Sequence, residues 1–263
     1  MSLTQPDTDA IAPFVWSDLA ERIERASVKA AQPPEHWMLD GWQVNLSPGL
    51  ARRSRSIQPL DHFGCLSLHD KVHRAEQHCL QSGLPPLFRI SPMCRPPELD
   101  ALLALKGYRQ EDDYRVMTLP LAHVHPETSR EGLCLRALST DLLAAKVGTL
   151  RGFSPSQIRA HQERLQEAST PFHAYVLERE GQALAFAQMA QEGDLAGFYD
   201  VFTRPEYRGL GLARELLMRL LALARTQGIR HAYLQVEAAN ITARRLYKHL
   251  GFQDLYAYHY RVR

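Results

Sequence analysis

Two stretches 144 residues apart end the two halves of this 263-residue chain in the same way. LLALKGYRQEDDYRV reads helix, glycine, aromatic, strand. LYKHLGFQDLYAYHY repeats that order, so Gly107, Tyr108 and Tyr114 fall on Gly251, Phe252 and Tyr258. A glycine after a leucine-rich periodic run closes a helix, because the left-handed position that follows the last turn carries no steric penalty without a Cβ. The repetition predicts two lobes of similar fold, descended from one duplicated unit. The length suits that reading, since domains of about 100–150 residues are the commonest.

Punctuation along the chain divides it further. Residues 17–31 form an amphipathic pattern behind a Ser17 cap. WMLDGWQVNLSPGLARRSRSI reads as two strands around a turn at Ser47, Pro48 and Gly49. A helix at 68–82, the strand LFRI, the helix PELDALLALKG and the strand YRQEDDYRVMTL follow. PLAHVHPETSRE, residues 120–131, is polar, holds two prolines and has no apolar period. It is the expected linker, leaving lobes at 1–119 and 132–263. The second lobe should open with a strand near 132–137 and helices near 140–151 and 155–168, the latter with a capping box on Ser154 and Gln157. FHAYVLE, QALAFAQMAQ and LAGFYDVF read as antiparallel strands joined by tight turns. A leucine-rich helix at 212–226, the strand HAYLQVE, the helix NITARRLYKHLG and a last strand complete it. The class is α+β, with mixed, mostly antiparallel twisted sheets flanked by helices.

Bulk properties exclude several functions. Hydrophobic residues make up 45% of the chain, enough for a core, and the formal net charge is only +2. Nucleic-acid binding by bulk electrostatics is therefore not expected. No apolar run reaches the ~18 residues of a membrane span, and the N-terminus lacks the pattern of a secretory signal. Cys65, Cys79, Cys94 and Cys134 form no CxxC pair, which fits a reduced, cytoplasmic protein. HDKVH sets His69 and His73 at a two-ligand helical spacing, with His78 beyond, but Asp70 stands where a catalytic glutamate would and no third ligand is evident, so no metal is expected.

The chemistry concentrates in RPEYRGLGLARELL, residues 204–217. A basic, glycine-rich loop between the strand GFYDVF and a leucine-rich helix suits anion binding, because a helix start offers unpaired N–H groups and partial positive charge. The Gly-Lys-Ser/Thr ending of a P-loop is absent. A GxGxxG fingerprint beginning at Gly209 and Gly211 would put Arg214 in its third glycine position, where close helix packing needs no side chain. A third motif, R/Q-x-x-G-x-G/A, matches on Arg208, Gly211 and Ala213. With VFTRPEYRGLG around it and N-I-T-A-R-R-L-Y-K-H-L-G-F downstream, the region from about 130 to 263 resembles the GCN5-related N-acetyltransferases (GNAT). The whole chain resembles a bacterial tandem form with one degenerate lobe.

The resemblance implies an acetyl-coenzyme A-dependent N-acetyltransferase that moves the acetyl group to a primary amine by direct attack in a ternary complex. It implies that the pantetheine arm lies along the strand before the loop, bonded by the backbones of Tyr199 and Val201, alternate residues of one orientation. The pyrophosphate would rest on Arg208, Gly209, Leu210, Gly211, Leu212 and Ala213. Asn240 is either a helix cap or a further coenzyme A contact. Tyr247, two helical turns on, is the candidate general acid. The base stays open: Leu195 and Gln235 stand where relatives carry glutamates, leaving Glu237 first and Asp200 second, with Asp200 expected on the opposite strand face from Tyr199 and Val201. The missing glutamates keep a non-catalytic acyl-coenzyme A sensor as the alternative. Acceptors remain open among small amines, amino acids, antibiotics and protein N-termini, as does the oligomeric state.

In the first lobe Leu103 and Pro96 occupy the places of Tyr247 and Asn240, and no matching glycine loop precedes the helix at 68–82. That lobe is expected neither to bind coenzyme A nor to catalyse. WMLDGW followed by ARRSRS resembles a D-G-W and R-R-x-N-S block of such tandem proteins, with Arg55 in place of the asparagine. Arg52, Arg53 and Arg55 either meet an acidic group of the substrate or form a solvated basic strand.

Overall fold

The computed structural model describes residues 17–124 and 130–263; residues 125–129 of the expected linker lie outside them. The first half begins with α1 (Asp18–Ala31), whose first turn is capped by the Ser17 hydroxyl. The strands β1 (His36–Leu39) and β2 (Trp42–Asn45) form a hairpin. It turns at Asp40 and Gly41, with φ of 53° and 92°, not at the Ser47–Gly49 stretch that the sequence suggested. Two consecutive left-handed residues match the twist of paired strands, and Asp-Gly supplies them cheaply. Arg52–Arg55 is a 3-10 turn and not a strand. The Asn45 and Gln58 side-chain amides both donate to the Arg53 carbonyl at 3.1 Å, engaging the acceptor that a ladder would have used. Then come β3 (Ile57–Gln58), α2 (Leu68–Gln81), β4 (Leu87–Ile90), α3 (Leu99–Leu105) and β5 (Arg109–Pro120).

The second half runs β6 (Cys134–Leu138), α4 (Thr140–Leu150), α5 (Pro155–Gln166), β7 (Phe172–Arg179), β8 (Gln182–Glu192), β9 (Leu195–Thr203), α6 (Leu212–Thr226), β10 (His231–Glu237), α7 (Ile241–His249) and β11 (Gln253–Val262). The capping box on α5 forms as its sequence requires. In α6, Leu212, Leu216, Leu217, Leu220 and Leu221 are all buried, packed with Met189, Phe198 and Leu234 of the sheet. Burial of each such side chain contributes about 1.5–3 kcal/mol, so the helix is fixed by its leucine face.

All described strands join one sheet, in the order β1-β2-β3-β4-β11-β5-β10-β9-β8-β7-β6. The final strand of each half is inserted into the other half: β11 lies between β4 and β5, and β5 between β11 and β10. Such an exchange is what two copies of one unit would make. Tyr114 and Tyr258, equivalent by sequence, face each other across the β5–β11 ladder and stack with ring centroids 5.0 Å apart and planes 5° from parallel. A residue opposite its own counterpart in an antiparallel pair marks a local two-fold axis. Helices α6 and α7 cover one face of the second half, and α1, α4 and α5 the other.

Candidate active site

Strands β9 and β10 run parallel and paired only from Leu195 and His231 to Phe198 and Leu234. Beyond that point they separate, while β9 continues to Thr203 and β10 to Glu237. The edge of β9 that faced β10 thus has no strand partner from Tyr199 onward, and a buried strand edge needs one. Gly197 permits the crossing below the opening, since a Cβ there would lie 2.6 Å from the Tyr233 ring, which meets Tyr199 through a hydroxyl pair at 3.0 Å.

The opening coincides with a bulge. The β8–β9 register passes from Phe186 opposite Phe202 to Gln188 opposite Tyr199, so Ala187 faces two residues, Asp200 and Val201. Asp200 has φ 48°, which absorbs the extra residue. The bulge overturns the expected alternation. Tyr199 and Asp200 lie on the same face of the sheet, toward α1, α4 and α5, where they meet Phe172, His161 and Arg151. Val201 lies on the other face, packed against the α6 and α7 core. Counting by twos along a strand fails once a bulge intervenes.

On the α6 side a cleft of about 660 Å³ opens between Val201, Arg208, Gly209, Gly211, Asn240 and Tyr247. Leu212 and Ala213 also line it. Gly209 and Gly211 have φ of 80° and 74°, the left-handed conformation that glycine adopts without strain. Leu210 between them is exposed, and its carbonyl accepts from Arg130 Nη1 at 2.8 Å. Arg208 is held over the Phe202 ring and donates from Nε to the Thr203 carbonyl at 3.3 Å. Helices α1, α2, α4, α5 and α7 are each capped by a serine or asparagine side chain, whereas α6 starts at Gly211 with no side-chain cap among the described residues. The Leu212 and Ala213 N–H groups, which have no acceptor within the helix, suit an external anion. At the equivalent place in the first half, 144 residues earlier, Ser67 caps α2 and donates to the Asp70 carboxylate at 2.7 Å. A carboxylate already occupies that helix start.

Asn240 caps α7 by accepting from the Ala243 N–H at 3.1 Å while its residue lines the cleft. Tyr247 is 8% exposed, packs edge-on against Phe252 and has no hydrogen-bond partner for its hydroxyl among the described residues. Burial pushes its phenol up to about 12. Glu237 is exposed at the end of β10, opposite Tyr114, and is not among the residues lining the cleft.

A second cavity of about 250 Å³ lies on the other face, between the first-half loop that carries Ser47–Ser54 and helices α4 and α5. Asp200 lines this cavity, Val201 lines the cleft, and Arg151 lines both. One peptide link at the bulge therefore joins the walls of the two spaces. His161 Nε2 stands 3.0 Å from Asp200 Oδ2, Arg151 Nη1 lies 3.2 Å from Oδ1, and Gln188 donates at 3.3 Å. Burial alone would raise the Asp200 carboxyl, but His161, Arg151 and Arg164 hold it far below the ordinary carboxylate range. His161 and Arg151 were not singled out by sequence reasoning, because nothing in PSQIRAHQERLQ says which residue of a surface-like helix turns toward the bulge on β9. Arg52, by contrast, is bound by Glu111 and Asp112 of its own half, at 2.9 and 3.2 Å.

The profile of the Acetyltransferase (GNAT) family matches residues 145–252, which hold the bulge, the glycine loop, α6 and α7. That match spans less than half of the chain and marks the segment that holds the site as similar to the GNAT acetyltransferases. It is 25% identical to the N-acetyltransferase YobR of Bacillus subtilis, over 94% of this chain and 99% of that one, so both halves are shared. Its fold matches a GCN5-related N-acetyltransferase from Kribbella flavida with a TM-score of 0.68 at 12% identity, covering 94% and 96% of the two chains. It also matches a tandem GNAT protein from the clavulanic acid biosynthesis pathway, with a TM-score of 0.59 at 14% identity over 74% of this chain and 69% of that one. The GNAT fold and its tandem arrangement, expected from the sequence, are thereby found. Among the described residues no helix is long and apolar enough to cross a membrane, and no group of three His, Cys, Asp or Glu side chains is placed to hold a metal ion.

Proposed function

We propose that this enzyme transfers an acetyl group from acetyl-coenzyme A to a primary amine by direct attack, with the cosubstrate in the α6-side cleft and the amine in the cavity across the bulge. The observation that carries the reading is the start of α6, without a side-chain cap among the described residues, beside two left-handed glycines in a cleft that Tyr247 also lines. Those N–H groups and Arg208 fit a pyrophosphate. The unpaired edge of β9 from Tyr199 to Val201 fits an extended, amide-bearing arm. Acetyl-coenzyme A would supply the acyl group as an activated thioester. Tyr247 keeps its proton at all working pH values and donates a hydrogen bond toward the departing sulfur. Asp200, anionic and held by three partners, positions His161 and stabilises it when charged, as a carboxylate does for an imidazole base. His161 then takes the proton from the amine. Glu237 is the alternative base and would need an intervening water to reach the reaction.

Calorimetric titration with acetyl-coenzyme A, run beside Gly211→Trp, tests the assignment. Micromolar binding that disappears in the variant is the expected result. Failure of the unaltered protein to bind would remove the cofactor assignment. Binding without thiol release across an amine library would instead support an acyl-coenzyme A sensor.

A further inference from the structure

The smaller cavity carries more positive charge than the described residues neutralise. Arg53, Arg151 and Arg164 all line it, and Asp200 is the one carboxylate among its lining residues. Arg151 is matched by Asp200 at 3.2 Å. Neither Arg53 nor Arg164 has a salt bridge among the described residues. Arg53 donates to the neutral Gln235 Oε1 at 3.0 Å and lies over the Tyr199 ring at 5.7 Å. Arg164 is 8% exposed, donates to the Ala30 carbonyl at 2.9 Å and approaches His161 Nδ1 with Nη2 at 3.5 Å, and its Nε is buried with no partner among the described residues. Burial and the nearby Arg53 charge both push the Arg164 guanidinium down, against the pull of Asp200. A buried charge without a counter-charge is destabilising by several kcal/mol unless something supplies one. Two guanidinium groups converging on a wall of an open cavity form a ready anion site, because their forked donors match a carboxylate.

The placement of this site decides what the anion belongs to. It is on the acceptor side of the bulge, not on the side of the glycine loop. Arg53 comes from the first half, whereas Arg164 and His161 share helix α5 one turn apart. The volume, about 250 Å³, is below the ~300–1,000 Å³ usual for drug-sized ligands. We infer that the acceptor is a small amine that also bears a carboxylate, an amino acid or a close analogue, with its carboxylate on Arg53 and Arg164 and its amine toward His161 and the bulge. This inference rests on the proposed acetyl transfer and narrows its acceptor.

The test compares each α-amino acid with its carboxamide as acceptor, following free thiol released from acetyl-coenzyme A by the full-length protein. At least one acid should exceed its carboxamide in kcat/KM by about tenfold or more, the scale of a lost charged contact. In Arg53→Met the KM for that acid should rise about tenfold, the acid-over-amide preference should vanish, and the KM for acetyl-coenzyme A should stay within about twofold. Equal or better use of the carboxamides by the unaltered protein overturns the inference, and so does a preference that survives in Arg53→Met. A fall in acetyl-coenzyme A affinity in Arg53→Met would assign the arginine to the cosubstrate and overturn it as well. A readout free of turnover is the rise in Tm with each amine in the presence of coenzyme A: the acid should stabilise and the carboxamide should not. Absence of both effects across the set overturns the inference, whereas absence of coenzyme A binding overturns the functional reading beneath it.

Discussion

Removing one oxygen from Tyr247 separates its chemistry from its packing. The ring packs on Phe252 and the hydroxyl bonds to nothing among the described residues, so Tyr247→Phe keeps every folded-state contact. Stability should therefore change by no more than about 0.5 kcal/mol, a shift in Tm of about 1–2 °C. The effect on catalysis follows from the phenol's acidity. Burial lifts it from 10 to about 12, which disfavours the phenolate by about 3 kcal/mol. Full proton transfer to a thiolate whose conjugate acid titrates near 8.5 would be uphill by about 5 kcal/mol. The hydroxyl is thus expected to donate a strong hydrogen bond to the developing charge, with the proton arriving from solvent afterwards. Loss of one such donor costs about 10²–10³-fold in kcat. Steady-state thiol release should show that fall, with the KM for acetyl-coenzyme A within about threefold. A kcat within about threefold of the unaltered enzyme would refute the assignment and leave Tyr247 as a core aromatic. The raised value also has a sign for stability. Below about 10 the phenol is neutral in both folded and unfolded chains and contributes nothing to pH dependence; between 10 and 12 the unfolded chain ionises first, and stability falls.

The base assignment is tested by a paired comparison: His161→Gln should lower kcat/KM by about 10²-fold or more, whereas Glu237→Gln should change it by less than about threefold. The reverse pattern would make Glu237 the base. Away from the site, Glu24 and Arg89 form a buried bidentate pair, to which the Tyr256 hydroxyl donates at 2.7 Å. Glu24→Gln leaves the Arg89 charge buried and unmatched, so urea unfolding should show a loss of about 3–5 kcal/mol, and a loss under about 1 kcal/mol would refute the reasoning. Burial by itself raises the Glu24 carboxyl, but Arg89, Ser91 and Tyr256 hold it below its ordinary 4.5. Its contribution is therefore complete above that value and is lost as the pH falls through the lower folded one.

Most elements were legible because they rest on local rules. Ser17, Ser154 and Asn240 cap the helices they were expected to cap, and the leucines of α6 bury on one face. The glycine loop was legible because its function needs particular backbone angles, which leave a residue signature. The site's other side was not. The bulge at Asp200 has no such signature, since aspartate tolerates a left-handed φ without announcing it. It reversed the facing of Val201 and brought Asp200 to His161. The turn at Asp40 and Gly41 did have a signature, which was passed over for Ser47–Gly49.

The exchange of β5 and β11 ties the first half, whose counterpart of the α6 start is capped by Ser67, to the site. With α2 closed by Ser67 and Asp70, the first half offers no counterpart of the α6 site. Yet β5 pairs with β10 along Tyr114–Pro120 and holds it where it diverges from β9. The 3-10 turn of that half sends Arg53 across to Gln235 on β10 and to Tyr199 on β9, the two strands whose separation makes the site. Its loop also walls the smaller cavity. A duplicated unit that lost its own loop could thus keep selective value by shaping the opening in its twin. On that reading the pressure would fall on Arg53 and on the β5–β10 ladder, and not on Pro96 and Leu103, which stand 144 residues before Asn240 and Tyr247.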